Sequence, residues 1–227
     1  MRNGQLMSLE NRVLMTLIWL RHYPTYPMLS LCFGASTSSV GYILKKTWFM
    51  LWDILSSEIR WPTAAEWLSM RGRWDNMQNV VGAIDGTSHE IYIPQTEPQQ
   101  EFYSGHRKYH CIHTQVIIDN EKSIRYVHSG FLGHENDAHA YANILEIGPG
   151  QELDLPAGLF ILADSGYPQT EPLVTPYKTA DIIQQPQDER RRRRKFNIRH
   201  RSKWVYVEHV IKDIKTFRVI GSLYRHP

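Results

Sequence analysis

Val80-Val81-Gly82-Ala83-Ile84-Asp85-Gly86-Thr87 marks the point at which the chain changes texture. Before it, apolar residues recur at three- and four-residue spacing, in Val13, Leu14, Leu17 and Ile18 and again in Val40, Ile43 and Leu44, the period of one helix face. From it onward come short apolar runs of strand character, over residues 80–84, 91–93, 111–118 and 124–127. The last two are joined by Asp119-Asn120-Glu121-Lys122-Ser123, a polar turn of hairpin length, so they are expected to pair antiparallel. Further on, the pattern predicts a helix over residues 137–146, a short buried strand over 159–163 and a last helix over about 202–217.

Antiparallel-capable strands followed by alternating helix and strand imply a mixed sheet with helices packed on it. The predicted fold class is α/β, a ribonuclease-H-like mixed sheet with flanking helices, preceded by a small all-α region. The break is placed near residue 75, giving a helical region over 1–74 and a ribonuclease-H-like sheet domain over 75–227. Within the helical region Thr25 can cap a short helix with Pro27 in its first turn, Gly34 can end it, and Ser36 can cap the next. Helix, tight turn, helix fits a helix-turn-helix whose second helix carries Ser38, Ser39, Tyr42, Lys45 and Lys46 outward. An ordinary helical hairpin with a Gly corner reads the same way.

The composition narrows the function. With 227 residues, 42% of them hydrophobic and 11% aromatic, the chain can close a real core, which excludes a disulfide-stapled miniprotein and a disordered segment. Cys32 and Cys111 stand alone, without a Cys-x-x-Cys pair, which suits a reducing compartment and argues against thiolate zinc. The apolar run over residues 13–20 is too short to span a bilayer, so no membrane role is expected. No phosphate loop, dinucleotide fingerprint or Gly-x-Ser-x-Gly elbow is present. Residues 190–203 hold nine of the 26 Lys and Arg residues and no acid, so a chain of net charge +3 is acidic everywhere else. One dense basic strip on an acidic protein points to a local polyanion contact; a solvated run or a nuclear-import signal fits equally.

Three acids interrupt apolar surroundings: Asp85 after residues 80–84, Asp164 after residues 159–163, and Glu208 within Val205-Tyr206-Val207-Glu208. Glu208 sits at the edge of the stripe Val207, Val210, Ile211, Ile214 and can face the sheet. An unpartnered buried carboxylate costs on the order of several kcal/mol, so such acids need arginine partners or metal ions. Two aspartates at adjacent strand ends and a helical glutamate offer hard oxygen ligands suited to two Mg²⁺ or Mn²⁺ ions and to phosphodiester chemistry. The plainer reading is that Asp85 and Asp164 cap turns in Asp85-Gly86-Thr87 and Asp164-Ser165-Gly166. Tyr103 to His110 mixes an aromatic, Ser, Gly and cations, and can hold a phosphate through backbone N–H groups and Arg107 or Lys108. The histidines near residue 110 are too poorly spaced to favour zinc.

Ala83-Ile84-Asp85-Gly86-Thr87, Tyr103-Ser104-Gly105-His106-Arg107-Lys108-Tyr109-His110, Ala163-Asp164-Ser165-Gly166-Tyr167-Pro168 and Phe196-Asn197-Ile198-Arg199-His200 with Glu208 follow one another in order. In these words the chain resembles the Harbinger-type transposases and their host-domesticated nuclease relatives, members of the Asp-Asp-Glu superfamily. The resemblance implies a ribonuclease-H-like catalytic core, divalent-metal-dependent DNA cleavage, an N-terminal helix-turn-helix and a nuclear site of action, with the cytoplasm as the alternative. It assigns Asp85, Asp164 and Glu208 to the catalytic triad, and matches Asp137 in Asn136-Asp137-Ala138 to a further metal-binding acid.

The expectation is a metal-dependent endonuclease holding Mg²⁺ or Mn²⁺ on Asp85, Asp137, Asp164 and Glu208. DNA is its partner, met by Lys45, Lys46, Arg107, Lys108 and the run Arg190, Arg191, Arg192, Arg193 and Arg194, and a separate DNA-binding partner protein is compatible with the family. The alternative is a catalytically silent, domesticated DNA-binding or protein-interaction module. Trp204 and Lys212, where the family usually has Arg and Gly, motivate it, as do the short ends that suggest a decaying copy. A structure-specific nuclease unrelated to transposition is the third reading.

Overall fold

The computed structural model describes residues 7–225. The chain forms two compact units, one of residues 1–59 with 213–227 and one of residues 60–212. The division at 59/60 differs from the expected one near 75 because Trp67 and Met70 belong to the core of the sheet, packed with Val81, Ile84 and Ile117. Among the described residues no helix is long and apolar enough to cross a membrane.

The helical unit contains α1 (Leu9–His22), α2 (Tyr26–Phe33) and α3 (Thr37–Leu55). Ser8 starts α1 by accepting from the Asn11 N–H, and Ser36 starts α3 by accepting from the Ser39 N–H at 3.1 Å. Between α2 and α3 Gly34 takes φ +62°, the left-handed conformation that ends a helix at little steric cost in glycine. The tight turn predicted from Thr25, Pro27, Gly34 and Ser36 is therefore present. Met15, Leu29, Val40 and Leu44 form the core of this unit, and Ser38, Ser39, Tyr42, Lys45 and Lys46 all lie on its exposed surface.

The second unit opens with α4 (Ala64–Ser69), where Thr63 and Glu66 make a reciprocal capping box, as the Trp61-Pro62-Thr63 step suggests. The strands follow: β1 (Val80–Glu90), then α5 (Gln99–Phe102), β2 (Tyr103–Ser104), β3 (Tyr109–Asp119) and β4 (Ile124–Leu132). After α6 (Asp137–Ala142) come β5 (Ile147–Gly148), β6 (Leu153–Asp154), β7 (Phe160–Leu162) and β8 (Leu173–Val174), then α7 (Thr179–Ile183) and α8 (Gln187–Lys215); α9 (Arg218–Gly221) belongs to the helical unit. The main sheet runs β4, β3, β1, β7, β8, with β2 beside the start of β3. The first three strands pair antiparallel, while β1, β7 and β8 pair parallel. This mixed sheet with flanking helices is the expected class and is consistent with a ribonuclease-H-like fold.

Several local expectations change. β1 does not stop at Asp85 but continues to Glu90, because β3 pairs with it as far as Glu90 opposite Cys111. Residues 91–93 are not a strand of their own; Ile91 adds one more backbone bond to His110, at 2.9 Å, and the pairing then ends. The last helix begins at Gln187, not near 202, so the arginine run is helical. Arginine favours helix, Asp188 and Glu189 sit in the first turn where the helix dipole welcomes acids, and Glu189 pairs four residues on with Arg193.

Candidate active site

The register of β1 and β7 places the first two acids. Ala83 stands opposite Leu162 in this parallel pair. Asp85 and Asp164 each lie two residues further on, so they project to one face of neighbouring chain segments. Asp85 is not a turn cap, whereas Asp164 makes the turn bond expected of it. Asp85 lies inside β1, opposite Val116, and accepts one N–H, from Gly86 at 2.8 Å. Asp164 follows β7 and accepts the N–H of Gly166 at 2.7 Å.

Asp137 enters from the start of α6, where Asn136 caps the helix by accepting from the His139 N–H at 2.8 Å. Its carboxylate lies against Gly86: a Cβ at that position would meet Asp137 Oδ1 at 2.2 Å. Gly86 is thus a glycine for lack of room, and any side chain there would expel Asp137. On the other side a Cβ at Gly166 would stand 3.7 Å from Asp137 Oδ2. Asp137 therefore sits between the backbone segments that carry Asp85 and Asp164.

Two residues that sequence reasoning missed hold Asp137 in place. The Gln115 amide donates to Asp137 Oδ1 at 3.4 Å, and the hydroxyl of Tyr167 donates to Gln115 Oε1. Gln115 is 0% exposed and Tyr167 is 3% exposed. Because Tyr167 occupies the amide oxygen, the amide nitrogen of Gln115 is turned towards the acid. A signal existed for both: Gln115 interrupts the apolar run of β3, and Tyr167 closes the Asp164-Ser165-Gly166-Tyr167 word.

Glu208 arrives on α8, which is fastened to the sheet one turn at a time. His200 Nε2 donates to the Val174 carbonyl at 2.9 Å, at the end of β8. Four residues on, Trp204 Nε1 donates to the carbonyl of Ile84 at 3.1 Å, next to Asp85. Glu208 is one further turn along the same side. Trp204, a departure from the family pattern, thus docks the helix beside the first acid. Val207, Val210 and Ile211 bury the helix face, whereas Glu208 itself is exposed.

The four acids act on one another. Burial pushes the Asp85 carboxyl up to about 7 against the pull of the Gly86 N–H, and the charges of Asp137, Asp164 and Glu208 add to the rise. Burial and then Asp164 raise Asp137, with Gln115, His113 and Arg107 opposing. Burial also raises the Tyr167 hydroxyl, helped by Asp137, Asp85 and Asp164, which keeps it a hydrogen-bond donor. His200 is lowered by burial and kept neutral.

Among the described residues none of the four acids forms an ion pair with Lys or Arg. Nor are three or more His, Cys, Asp or Glu side chains of the described residues drawn together into a finished metal cluster. The donor set is nonetheless one of hard oxygens only, on β1, after β7, on α6 and on α8, and the more distant charge of Arg107 offsets only part of the repulsion at Asp137. Such a set fits a hard divalent cation better than zinc or copper.

The cations expected to meet DNA are spread over several elements. Lys45 and Lys46 are exposed on α3, where the Lys46 ammonium donates to the Tyr42 hydroxyl at 3.1 Å. Arg107 and Lys108 are exposed in the turn between β2 and β3, and the Arg107 charge reaches Asp137. Their backbone N–H groups are turned inward onto Ser104, at 3.3 and 2.7 Å, so in this turn the side chains alone are free for a phosphate. Of the arginine run, Arg192 and Arg193 pair with Glu189 at 3.6 and 3.0 Å, and the Arg193 guanidinium stacks 4.6 Å from the centre of the Tyr177 ring. Arg190, Arg191 and Arg194 share another side of the helix with Gln187.

Comparison with known proteins supplies the family. Residues 84–226 match the model of the DDE superfamily endonuclease, a span that holds all four acids, and residues 4–50 match the helix-turn-helix of DDE superfamily endonuclease. The chain is 24% identical over 235 residues to a Protein ALP1-like of Arabidopsis thaliana, covering 97% of this chain and 56% of the relative. It is 26% identical over 221 residues to a probable transposase for insertion sequence element IS702 of Microchaete diplosiphon, covering 96% of this chain and 74% of the relative. The chain thus spans little more than half the length of the first relative. No solved structure matches it significantly. With its N-terminal helices matched to the companion DNA-binding motif and its acid-bearing sheet to the nuclease, this chain belongs to the DDE superfamily endonuclease family.

Proposed function

We propose that the chain is a divalent-metal-dependent DNA endonuclease of Harbinger type, acting in the nucleus. The observation that carries the reading is the crowding of carboxylates on Asp85, whose carboxyl is raised by burial and then by the charges of Asp137, Asp164 and Glu208, while among the described residues none of the four forms an ion pair with Lys or Arg. Asp85, Asp164 and Glu208 are assigned the catalytic roles, and Asp137 joins them as a metal ligand. Two Mg²⁺ or Mn²⁺ ions, when bound, would activate a water molecule and stabilise the leaving oxygen of a phosphodiester.

The remaining steps belong to the chain's own residues. Trp204 and His200 fasten α8 to the sheet, Trp204 next to Asp85 and one turn before Glu208. Tyr167 and Gln115 aim Asp137. Arg107, whose charge reaches Asp137, and its neighbour Lys108 are exposed and available to neutralise phosphates, while Lys45 and Lys46 present the second helix of the helix-turn-helix to DNA. A separate DNA-binding protein partner is compatible with this arrangement.

The test is nicking of supercoiled plasmid in Mn²⁺ by the wild type beside Asp85→Asn and Glu208→Gln, which keep side-chain size and remove charge. Cleavage that both variants lose supports the proposal. A folded wild type that binds DNA and cleaves no better than the variants overturns it in favour of a silent DNA-binding module.

A further inference from the structure

The arginine run divides into two sets once it is wound into a helix. Arg192 and Arg193 are turned towards Glu189, and Arg193 also towards Tyr177. Arg190, Arg191 and Arg194 line one concavity together with Gln187, and no acid lines it. Three guanidinium groups around one hollow repel one another, and an anion with several oxygens would relieve that repulsion.

The helix also relates this hollow to the acids. α8 is continuous from Gln187 to Lys215, and Arg194, Arg201 and Glu208 follow at steps of seven residues, two turns each, on one side. No acid occurs between Arg190 and Glu208. At 1.5 Å per residue, Arg194 and Glu208 are about 21 Å apart along the axis. A duplex lying along α8 advances about 3.4 Å per base pair, so in that orientation this interval spans roughly six base pairs.

We propose that Gln187, Arg190, Arg191 and Arg194 form a clamp for the sugar-phosphate backbone of DNA, gripping the substrate about six base pairs from the bond presented to Asp85, Asp164 and Glu208. Arg201 lies on the path between them. The inference rests on the nuclease reading for the position of the cut, but the clamp itself is a binding site with its own readout.

The test uses the full chain. Anisotropy of a labelled 30-base-pair duplex is followed across a salt series for the wild type, for Arg190→Gln with Arg191→Gln and Arg194→Gln, and for Arg71→Gln. Three lost phosphate contacts reduce the log–log salt slope by about 2.7, at roughly 0.9 per contact. Arg71→Gln, at an exposed position after α4 where the side chain is turned to Asn79, leaves the slope within error. Should the triple variant not fold, Arg191→Gln alone, at an exposed position, is expected to lower the slope by about 0.9. An unchanged slope in these clamp variants, or an equal fall per charge in Arg71→Gln, overturns the clamp. So does an equal fall in binding of a polyglutamate chain of matched charge, which would make the site a general acceptor of acidic peptides. Plasmid nicking on the same preparations separates the two ideas: a wild type that nicks with an unchanged slope in the clamp variants sinks the clamp alone. A wild type that never nicks, with the slope reduced as expected, sinks the nuclease reading and leaves the clamp.

Discussion

Asp119 and Asp85 lie on neighbouring strands and are both aspartates in apolar company, yet their surroundings differ completely. Asp119, at the end of β3, is 0% exposed. It accepts the N–H groups of Glu121 and Ser123 at 2.8 and 3.0 Å and the guanidinium of Arg125 at 2.7 Å. Both carboxylate oxygens have local donors, and the result is a tied hairpin between β3 and β4. Asp85, in mid-β1, has one N–H and three other carboxylates acting on it. A buried acid that is satisfied by its own turn is structural; one surrounded by its own kind is waiting for a cation from outside.

The largest effect is expected where the comparison is cut on the functional side. Asp85→Asn should reduce Mn²⁺-dependent nicking by about a thousand-fold, the scale on which removing one preorganised group acts, with the fold intact by circular dichroism. A loss of only a few-fold would mean that Asp85 is not at the reacting centre. On the structural side the order reverses: Asp119→Ala should cost about 3 kcal/mol in urea unfolding, by leaving Arg125 and two N–H groups unpaired. Equal stability for this variant and the wild type would remove the distinction between the two acids.

A smaller effect concerns the buried relay. Tyr167→Phe frees the Gln115 amide to turn, and Mn²⁺ affinity should fall about tenfold, read by calorimetric titration rather than by turnover. An unchanged affinity would show that Asp137 keeps its aim without the relay.

Acidity sharpens the comparison further. The Asp85 carboxyl is raised from an ordinary value near 3.8 to about 7, so between these values the folded chain binds the proton more tightly than the unfolded chain. Its contribution to stability is complete below about 4 and is lost as pH rises through about 7. The melting temperature of wild type relative to Asp85→Asn should therefore fall across that window in chelator; a constant difference would contradict the raised value.

Much of this contrast was legible in the sequence, and the reasons for the remainder are physical. Asp85, Asp137, Asp164 and Glu208 each stand in a recognisable local word, and the caps at Ser36 and Thr63 are local hydrogen bonds between near neighbours. Gly86 reads as a turn because glycine usually makes one; only the pairing with β3, set by residues some thirty positions away, shows it as a mid-strand residue beside Asp137. The bond between Tyr167 and Gln115 joins residues 52 positions apart and has no local signature. The arginine run reads as solvated charge, yet Asp188 and Glu189 ahead of it make it the start of α8.

The four carboxylates are proposed to form one divalent-cation site. Its most direct test is thermal unfolding at pH 8 with and without Mn²⁺, on the wild type, Asp85→Asn and Glu208→Gln. The wild type should gain stability, about 2.7 kcal/mol at a hundredfold excess over the dissociation constant, and both variants should lose most of that gain. An equal gain in all three, or none in the wild type, would contradict it.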